Sequence, residues 1–358
     1  MRILATYNNY TNRYKRSVNS FTGGGESSFS KAVKLIEIGD IEAVKRLSDL
    51  QLYSSTNESL LHVASKYDRF DIAKYLLKVG VGKDSVDDNK ETVVFFAKTP
   101  KMLNLFVQNG LDINHKNKFG KTPIFRYVLK KQLQMVAESV KLGANTNIFD
   151  LNKMSPLMYA STNDIREILL ANSASSNLKY SDGYSILHKA VMNNDYDYSK
   201  LLVKYGTNIS IKDIKGHRPL YYVKHPKIRE LFLTNGANPN EDYYLHYSIL
   251  LKDKVAMSQF LQYGANPNVI APNGKPPIFF VSSVDEINEL SKYDTNLDAQ
   301  DKDGNTALHQ FSLLGKKDLV EGLKSLGADI SIKNNKGQTA SDLFMLWEKY
   351  NFWVKWWL

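Results

Sequence analysis

The sequence predicts an all-α solenoid of about ten stacked helix-turn-helix repeats with short β-hairpin or loop fingers. Two observations carry this: a four-residue opening motif returns ten times in register, and apolar helices ending in Gly-Ala-Asn or Gly-Ala-Asp follow it at set distances. A third makes it affordable in core: the 358 residues are 43% hydrophobic, ample for a spine shared between layers, since one such unit cannot bury its own apolar face.

The opening motif begins at Ser59 (Ser-Leu-Leu-His), Thr92 (Thr-Val-Val-Phe), Thr122 (Thr-Pro-Ile-Phe), Ser155 (Ser-Pro-Leu-Met) and Ser185 (Ser-Ile-Leu-His). It returns at Arg218 (Arg-Pro-Leu-Tyr), Tyr243 (Tyr-Tyr-Leu-His), Pro276 (Pro-Pro-Ile-Phe), Thr306 (Thr-Ala-Leu-His) and, degenerate, at Thr339 (Thr-Ala-Ser-Asp). The second landmark is Leu142-Gly143-Ala144-Asn145, Asn235-Gly236-Ala237-Asn238, Tyr263-Gly264-Ala265-Asn266 and Leu326-Gly327-Ala328-Asp329. Together they resemble the ankyrin repeat, a β-turn plus two helices in about 33 residues with a Thr-Pro-Leu-His opening. The resemblance covers roughly residues 29–346.

Each part of the motif has a physical reason. Pro123, Pro156, Pro219 and Pro277 stand where a first helical turn has no use for its amide hydrogen. Where Ser or Thr precedes the proline, its hydroxyl is expected to cap the free donors of that turn. Glycine after the second helix permits the left-handed conformation that ends it, and Asn or Asp then suits a tight turn.

The openings are spaced 33, 30, 33, 30, 33, 25, 33, 30 and 33 residues apart, so long and short repeats alternate. The distance from opening to glycine is 21 in the long repeats (Ser59 to Gly80, Thr122 to Gly143) and 18 in short ones (Thr92 to Gly110, Arg218 to Gly236). The missing three residues fall between the helices, where Pro100 and Pro226 fit the first turn of the second helix. The first helix of every short repeat is therefore expected to be clipped by almost a turn, giving a 63-residue double unit. The 25-residue spacing leaves Tyr243 only seven positions after Gly236, too few for a normal β-hairpin, and predicts a notch.

The sequence divides into a flexible basic tail at 1–26, the solenoid at 27–346 and a Trp-rich segment at 347–358. The tail closes with Gly23-Gly24-Gly25 and has no Gly-Lys-Ser/Thr to make it a phosphate loop. Residues Phe29 to Leu50 lack the motif but keep its helix pattern, as a capping repeat would. All four tryptophans, Trp347, Trp353, Trp356 and Trp357, fall in the last 12 residues. Leu343, Phe344 and Trp347 share a helical stripe with Val354 and Leu358 that suits capping, while Phe352, Trp353, Trp356 and Trp357 lie largely off it. The segment is expected to cap the solenoid, with docking to a partner, or an interfacial membrane contact with Lys349 and Lys355, as the alternatives.

The formal charge of +10 and pI of 9.3 favour acidic partners, but the lysines are scattered mostly singly, as on a solvated surface. There is no cysteine, which removes disulfides and thiol chemistry and suits a reducing, cytoplasmic setting. The first 20 residues lack the apolar core of a signal peptide. His62, His188, His246 and His309 each take the fourth place of their own motif, in different layers, and so do not form a metal set. The ankyrin resemblance implies that they brace neighbouring turns. No catalytic or dinucleotide fingerprint is present, and neither enzyme activity, cofactor nor metal is expected.

The resemblance also implies that partners bind at the finger tips and the exposed ends of the first helices, along a concave face. By position, the candidate tip residues are Phe119, Lys121, Tyr184, Lys215, His217, Lys275 and Asn305, with Trp353, Trp356 and Trp357 as a second docking element. A further row, Phe96, Tyr159, Tyr222 and Phe280, takes the fifth motif position of the four short repeats and serves either as core or, if uncovered, as an aromatic strip. The Lys/Asn/Tyr-rich, irregular repeats resemble ankyrin proteins of viruses and intracellular bacteria. That resemblance implies a non-catalytic scaffold that binds a host protein in the host cytoplasm; nucleic-acid binding through the basic surface is the alternative.

Overall fold

The computed structural model describes residues 27–357, with side chains to Lys349. The predicted tail at 1–26 lies outside the described residues, as do the side chains of Trp353, Trp356 and Trp357. The chain divides into two compact units, with the border between Ile168 and Leu169. In both, paired antiparallel helices repeat along the chain, and among the described residues β-structure is limited to the isolated bridges Tyr53–Ser59 and Lys179–Ser185. The fingers are thus turns rather than paired strands.

The alternation expected from the spacing is a difference in the first helix. In the long repeats it spans seven residues: Leu60–Lys66, Pro123–Leu129, Ile186–Met192, Tyr244–Leu250 and Ala307–Leu313. In the short repeats it is a single turn of four, Val93–Phe96, Pro156–Tyr159, Pro219–Tyr222 and Pro277–Phe280, three of them 3₁₀ turns. The exit explains the difference. Long helices end two residues after their last turn in a left-handed residue, Asp68, Lys131, Asn194, Lys252 or Gly315, with φ between 53° and 64°. Short ones leave through extended residues, Ala97, Ala160, Val223 and Val281, whose ψ of 117° to 145° ends the turn at once.

Several of the second helices begin on side-chain caps. Asp195 and Asp253 accept from the amides of Tyr198 and Ala256 at 3.0 and 2.9 Å, and Thr99 accepts from Met102 at 3.3 Å ahead of Pro100. They end in left-handed glycines where the motif has one. Where the motif lacks glycine, Ser173 and Asp294 take the same conformation, at φ 65° and 45°. The core consists of the second and third motif positions against the second helices: Leu60, Leu61, Val93, Val94, Ile186 and Leu187 are wholly buried. Full burial of each such side chain is worth about 1.5–3 kcal/mol.

One expectation from the motif fails. The hydroxyls of Thr122 and Ser155, which precede prolines, are buried without a hydrogen-bond partner. The hydroxyls that do pair are Ser59, Ser185 and Thr306, and they bond the imidazole Nδ1 of His62, His188 and His309 at 2.7–2.9 Å. The hydroxyl and the histidine work as a pair, and a repeat with Phe125 or Met158 in the histidine's place strands the hydroxyl. The converse holds in the irregular repeat, where Tyr243 replaces Ser or Thr and His246 Nδ1 has no partner.

The short connection before Tyr243 is accommodated by two consecutive left-handed residues, Asp242 and Tyr243, at φ 51° and 54°. Arg218 closes over it, 2.6 Å from Glu241 and 3.1 Å from Asp242. Neighbouring turns nonetheless keep their register. Asn240 accepts from the Asn266 amide and donates to the Gly264 carbonyl at 3.2 Å, as Asn114 does with Asn145 and Gly143 in the first unit. At the C-terminus a single helix, Ala340–Trp357, runs past position 347 without a break. Leu343 is buried, Phe344 stacks on Trp347 at 5.6 Å, and the Trp347 indole covers Gly315, where a Cβ would meet it at 2.1 Å.

Candidate partner-binding surface

The fingers are built on an Asx turn. The side chain five residues before the motif accepts from the amides two and four residues on: Asn117 from Phe119 and Lys121, Asp213 from Lys215 and His217, Asp301 from Asp303 and Asn305, all at 2.8–3.0 Å. The candidate tip residues therefore sit on backbone that is held from below. Each motif histidine then ties its own turn to the next finger. His62, His188, His246 and His309 donate through Nε2 to the carbonyls of Glu91, His217, Lys275 and Gln338, at 3.0–3.2 Å. A carbonyl only accepts, so this bond fixes the proton on Nε2. Burial lowers the pKa of His62, His188 and His246, in keeping with neutral rings.

The same fourth position meets the aromatic row. His62 stands edge-on to Phe96, Phe125 to Tyr159, His188 to Tyr222 and His246 to Phe280, with centroids 5.6–5.9 Å apart. Phe96 is buried, while Tyr159, Tyr222 and Phe280 are half-buried, so the row is neither pure core nor an open strip. The two tyrosines are anchored through their hydroxyls, which donate to the finger carboxylates Asp150 and Asp213 at 2.7 and 2.6 Å. Burial, and then the bond to Asp213, push the Tyr222 phenol well above its ordinary range. Burial alone would raise Asp213, but the bonds from Tyr222 and from the His217 and Lys215 amides hold it below the usual carboxylate value.

In the first unit, Phe119 and Lys121 come together in a cleft of about 300 Å³ lined also by Glu91, Phe95, Asn117, Arg126, Leu129 and Lys130. Glu91 is buried at its base. One carboxylate oxygen accepts from Asn117 at 2.9 Å and the other from Arg126 at 3.0 Å, and the Arg126 guanidinium lies 4.6 Å from the Phe96 ring centre. Lys121 reaches toward Asp150 at 3.8 Å and lies over Tyr159. Phe119 and Leu129 stay 51% and 48% exposed on the rim.

In the second unit, Tyr184 and His217 belong to one aromatic cluster. Tyr184 is edge-on to both His188 and Tyr222, and His217 stacks flat on Tyr221, 3.9 Å between centroids and 4° between planes. Tyr221 in turn meets Tyr247 at 5.4 Å, and Tyr247 is 41% exposed. Lys215 is exposed at the tip of the same finger.

The remaining tip residues are committed elsewhere. Lys275 pairs with Gln310 and with Asp301 at 3.7 Å, and the side chain of Asn305 accepts from Asn334 at 2.9 Å. Leu129, Arg126, Tyr221 and Tyr247 lie outside the tip positions that the motif marks as partner residues. Their signal was present, since Leu129 and Tyr247 are large apolar side chains on the outward side of first helices whose inward positions were already taken by the motif. Among the described residues no three His, Asp or Glu side chains converge as metal ligands, and no helix is long and apolar enough to cross a membrane.

Comparison with known proteins agrees with the repeat. A family model described as three copies of the ankyrin repeat matches residues 93–180, and a single-repeat model matches residues 182–214. An ankyrin repeat protein of Acanthamoeba polyphaga mimivirus is 26% identical over 85% of this chain and 42% of its own length. One from fowlpox virus is 26% identical over 47% of this chain and 27% of its own length. The chain thus spans less than half the length of either relative. Among solved structures, the ankyrin repeat domain of Bcl-3, a member of the IkappaB protein family, aligns over 59% of this chain and 99% of that domain, with 21% identity and a TM-score of 0.52. Ankyrin repeats generally mediate protein–protein interaction, and the fold is typically non-catalytic. On motif, helix pattern and family match alike, residues 93–214 are ankyrin repeats, and the same opening motif and paired helices run on either side of them.

Proposed function

We propose that the chain is a scaffold that binds a host protein through its fingers and first-helix ends, and modulates or inhibits that protein in the host cytoplasm. The observation that carries this is a division of labour among the side chains of the repeats. The histidines, Asx side chains and inward positions are spent on holding the turns, whereas Phe119, Leu129 and Tyr247 are large apolar side chains left 41–51% exposed on rigid backbone. Exposed aromatic side chains on an ordered surface, here Phe119 and Tyr247, are what protein interfaces use as anchors. Support for the host side of the reading comes from the mimivirus and fowlpox relatives.

Nucleic-acid binding is the second reading, motivated by the charge of +10. Many of the cations on the binding side already have partners, among them Lys66 with Glu58, Lys189 with Asp182 and Arg218 with Glu241. Affinity capture from host lysate separates the two. A discrete protein should be retained by the wild type and lost from the Phe119→Ala, Tyr184→Ala, His217→Ala triple variant, with nuclease treatment making no difference. Capture undiminished in the triple variant, or abolished by nuclease, contradicts the reading.

A further inference from the structure

We infer that the cleft of the first unit is a docking site for an acidic segment of a partner protein, which seats an aliphatic side chain between Phe119 and Leu129 and a neighbouring carboxylate against Lys130 and Arg126. This rests on the protein-binding reading and names the chemistry of what is bound. The two apolar walls are the exposed Phe119 and Leu129, with buried Phe95 beneath them.

The charge around these walls is unbalanced. Five cations, Lys98, Lys118, Lys121, Arg126 and Lys130, stand around the walls against two carboxylates, Glu91 and Asp150. Both carboxylates are spent inside the fold: Glu91 on Asn117 and Arg126, Asp150 on Tyr159 and Lys121. The excess is felt at the rim, where the repulsion of Arg126, then partial burial and Lys98, lower the pKa of the Lys130 ammonium. An incoming carboxylate would relieve this repulsion at a place where the local dielectric is reduced by Phe119 and Leu129. An acidic peptide suits the site better than a nucleic acid does, because the cleft offers a short aliphatic and aromatic seat, not a track of cations with successive stacking faces.

The test uses the full chain and a fluorescein-labelled peptide, Gly-Glu-Leu-Glu-Glu-Gly, read by fluorescence anisotropy. Binding is expected at low salt and should weaken as salt rises. Lys130→Glu, and separately Leu129→Ser, should each weaken it about tenfold, equivalent to about 1.4 kcal/mol. Replacing the peptide's glutamates by glutamine, or its leucine by serine, should do the same, whereas Lys302→Glu in the second unit should change it by less than about twofold. Unchanged melting curves for the variants establish that they fold. The inference is overturned if the peptide does not bind, if the glutamine peptide binds equally well, if folded Lys130→Glu binds like wild type, or if oligothymidine binds more tightly at the same residues. If the peptide fails while wild-type chain still captures a protein through Phe119, the acidic chemistry is wrong and the scaffold reading stands; if capture fails as well, the scaffold reading falls.

Discussion

His188 stands edge-on to Tyr222, with ring centroids 5.9 Å apart and planes at 69°. The two residues are also joined through the finger: His188 donates to the His217 carbonyl, and the His217 amide and the Tyr222 hydroxyl both donate to Asp213. Imidazole, phenol and carboxylate thus lock a long repeat, a finger and a short repeat into one hydrogen-bonded block.

Removing the phenol hydroxyl should loosen that block. Tyr222→Phe takes a donor from Asp213, which is only 6% exposed, and should cost about 1–3 kcal/mol of stability at neutral pH. The Asp213 pKa is depressed below 3.8 in the folded chain, so its contribution is complete above that value and is lost as pH falls through the folded one. The gap in melting temperature between wild type and Tyr222→Phe should therefore close in acid. A gap that stays constant with pH would mean the hydroxyl does not act through the carboxylate.

The motif histidines set a second pH dependence, at higher pH. Burial lowers the folded-state pKa of His188 and His246 below the ordinary 6.5, so the unfolded chain takes up protons first as pH falls. Their contribution is whole above 6.5 and declines from there toward the lower folded values. Melting temperatures measured across this range should fall with acidification, and the His188→Gln, His246→Gln double variant should show a flatter profile. An equally steep profile in the double variant would assign the slope to other groups.

Stacking of adjacent fingers is tested by two glycines. Gly304 and Gly216 occupy the same place in their turns, at φ +75° and +83°, but a Cβ on Gly304 would lie 2.8 Å from the Asn335 backbone nitrogen, while one on Gly216 would meet nothing within 4 Å. Alanine at either position bears the left-handed penalty of about 1–2 kcal/mol. Gly304→Ala must in addition push the next finger away, so its urea midpoint should fall clearly further than that of Gly216→Ala. Equal losses would contradict close contact between these fingers.

Much of this architecture is legible in one dimension, because the repeat supplies its own alignment. Three residues missing between Phe96 and Pro100, set against the long repeats, predict the single-turn first helix that is found. Other features escape the sequence for identifiable reasons. Ser173 and Asp294 stand in left-handed turns without the glycine that marks such turns elsewhere in the repeats. The stranded hydroxyls of Thr122 and Ser155 follow from the loss of histidine three residues on, a dependence visible only once the bond between the two side chains is seen. The cleft beside Phe119 was half legible: the tip positions indicated Phe119 and Lys121, but Leu129, Arg126 and Glu91 join them only through stacking of successive repeats.

The most direct test of the account concerns which side of the repeat meets the partner. A photoreactive phenylalanine analogue placed at Phe119 or Tyr247 should cross-link a discrete protein in host lysate, while the same analogue at Lys78 or Lys204, exposed on second helices, should not. Cross-links that form from Lys78 or Lys204 and are absent from Phe119 and Tyr247 would place the interface on the opposite side and contradict the account.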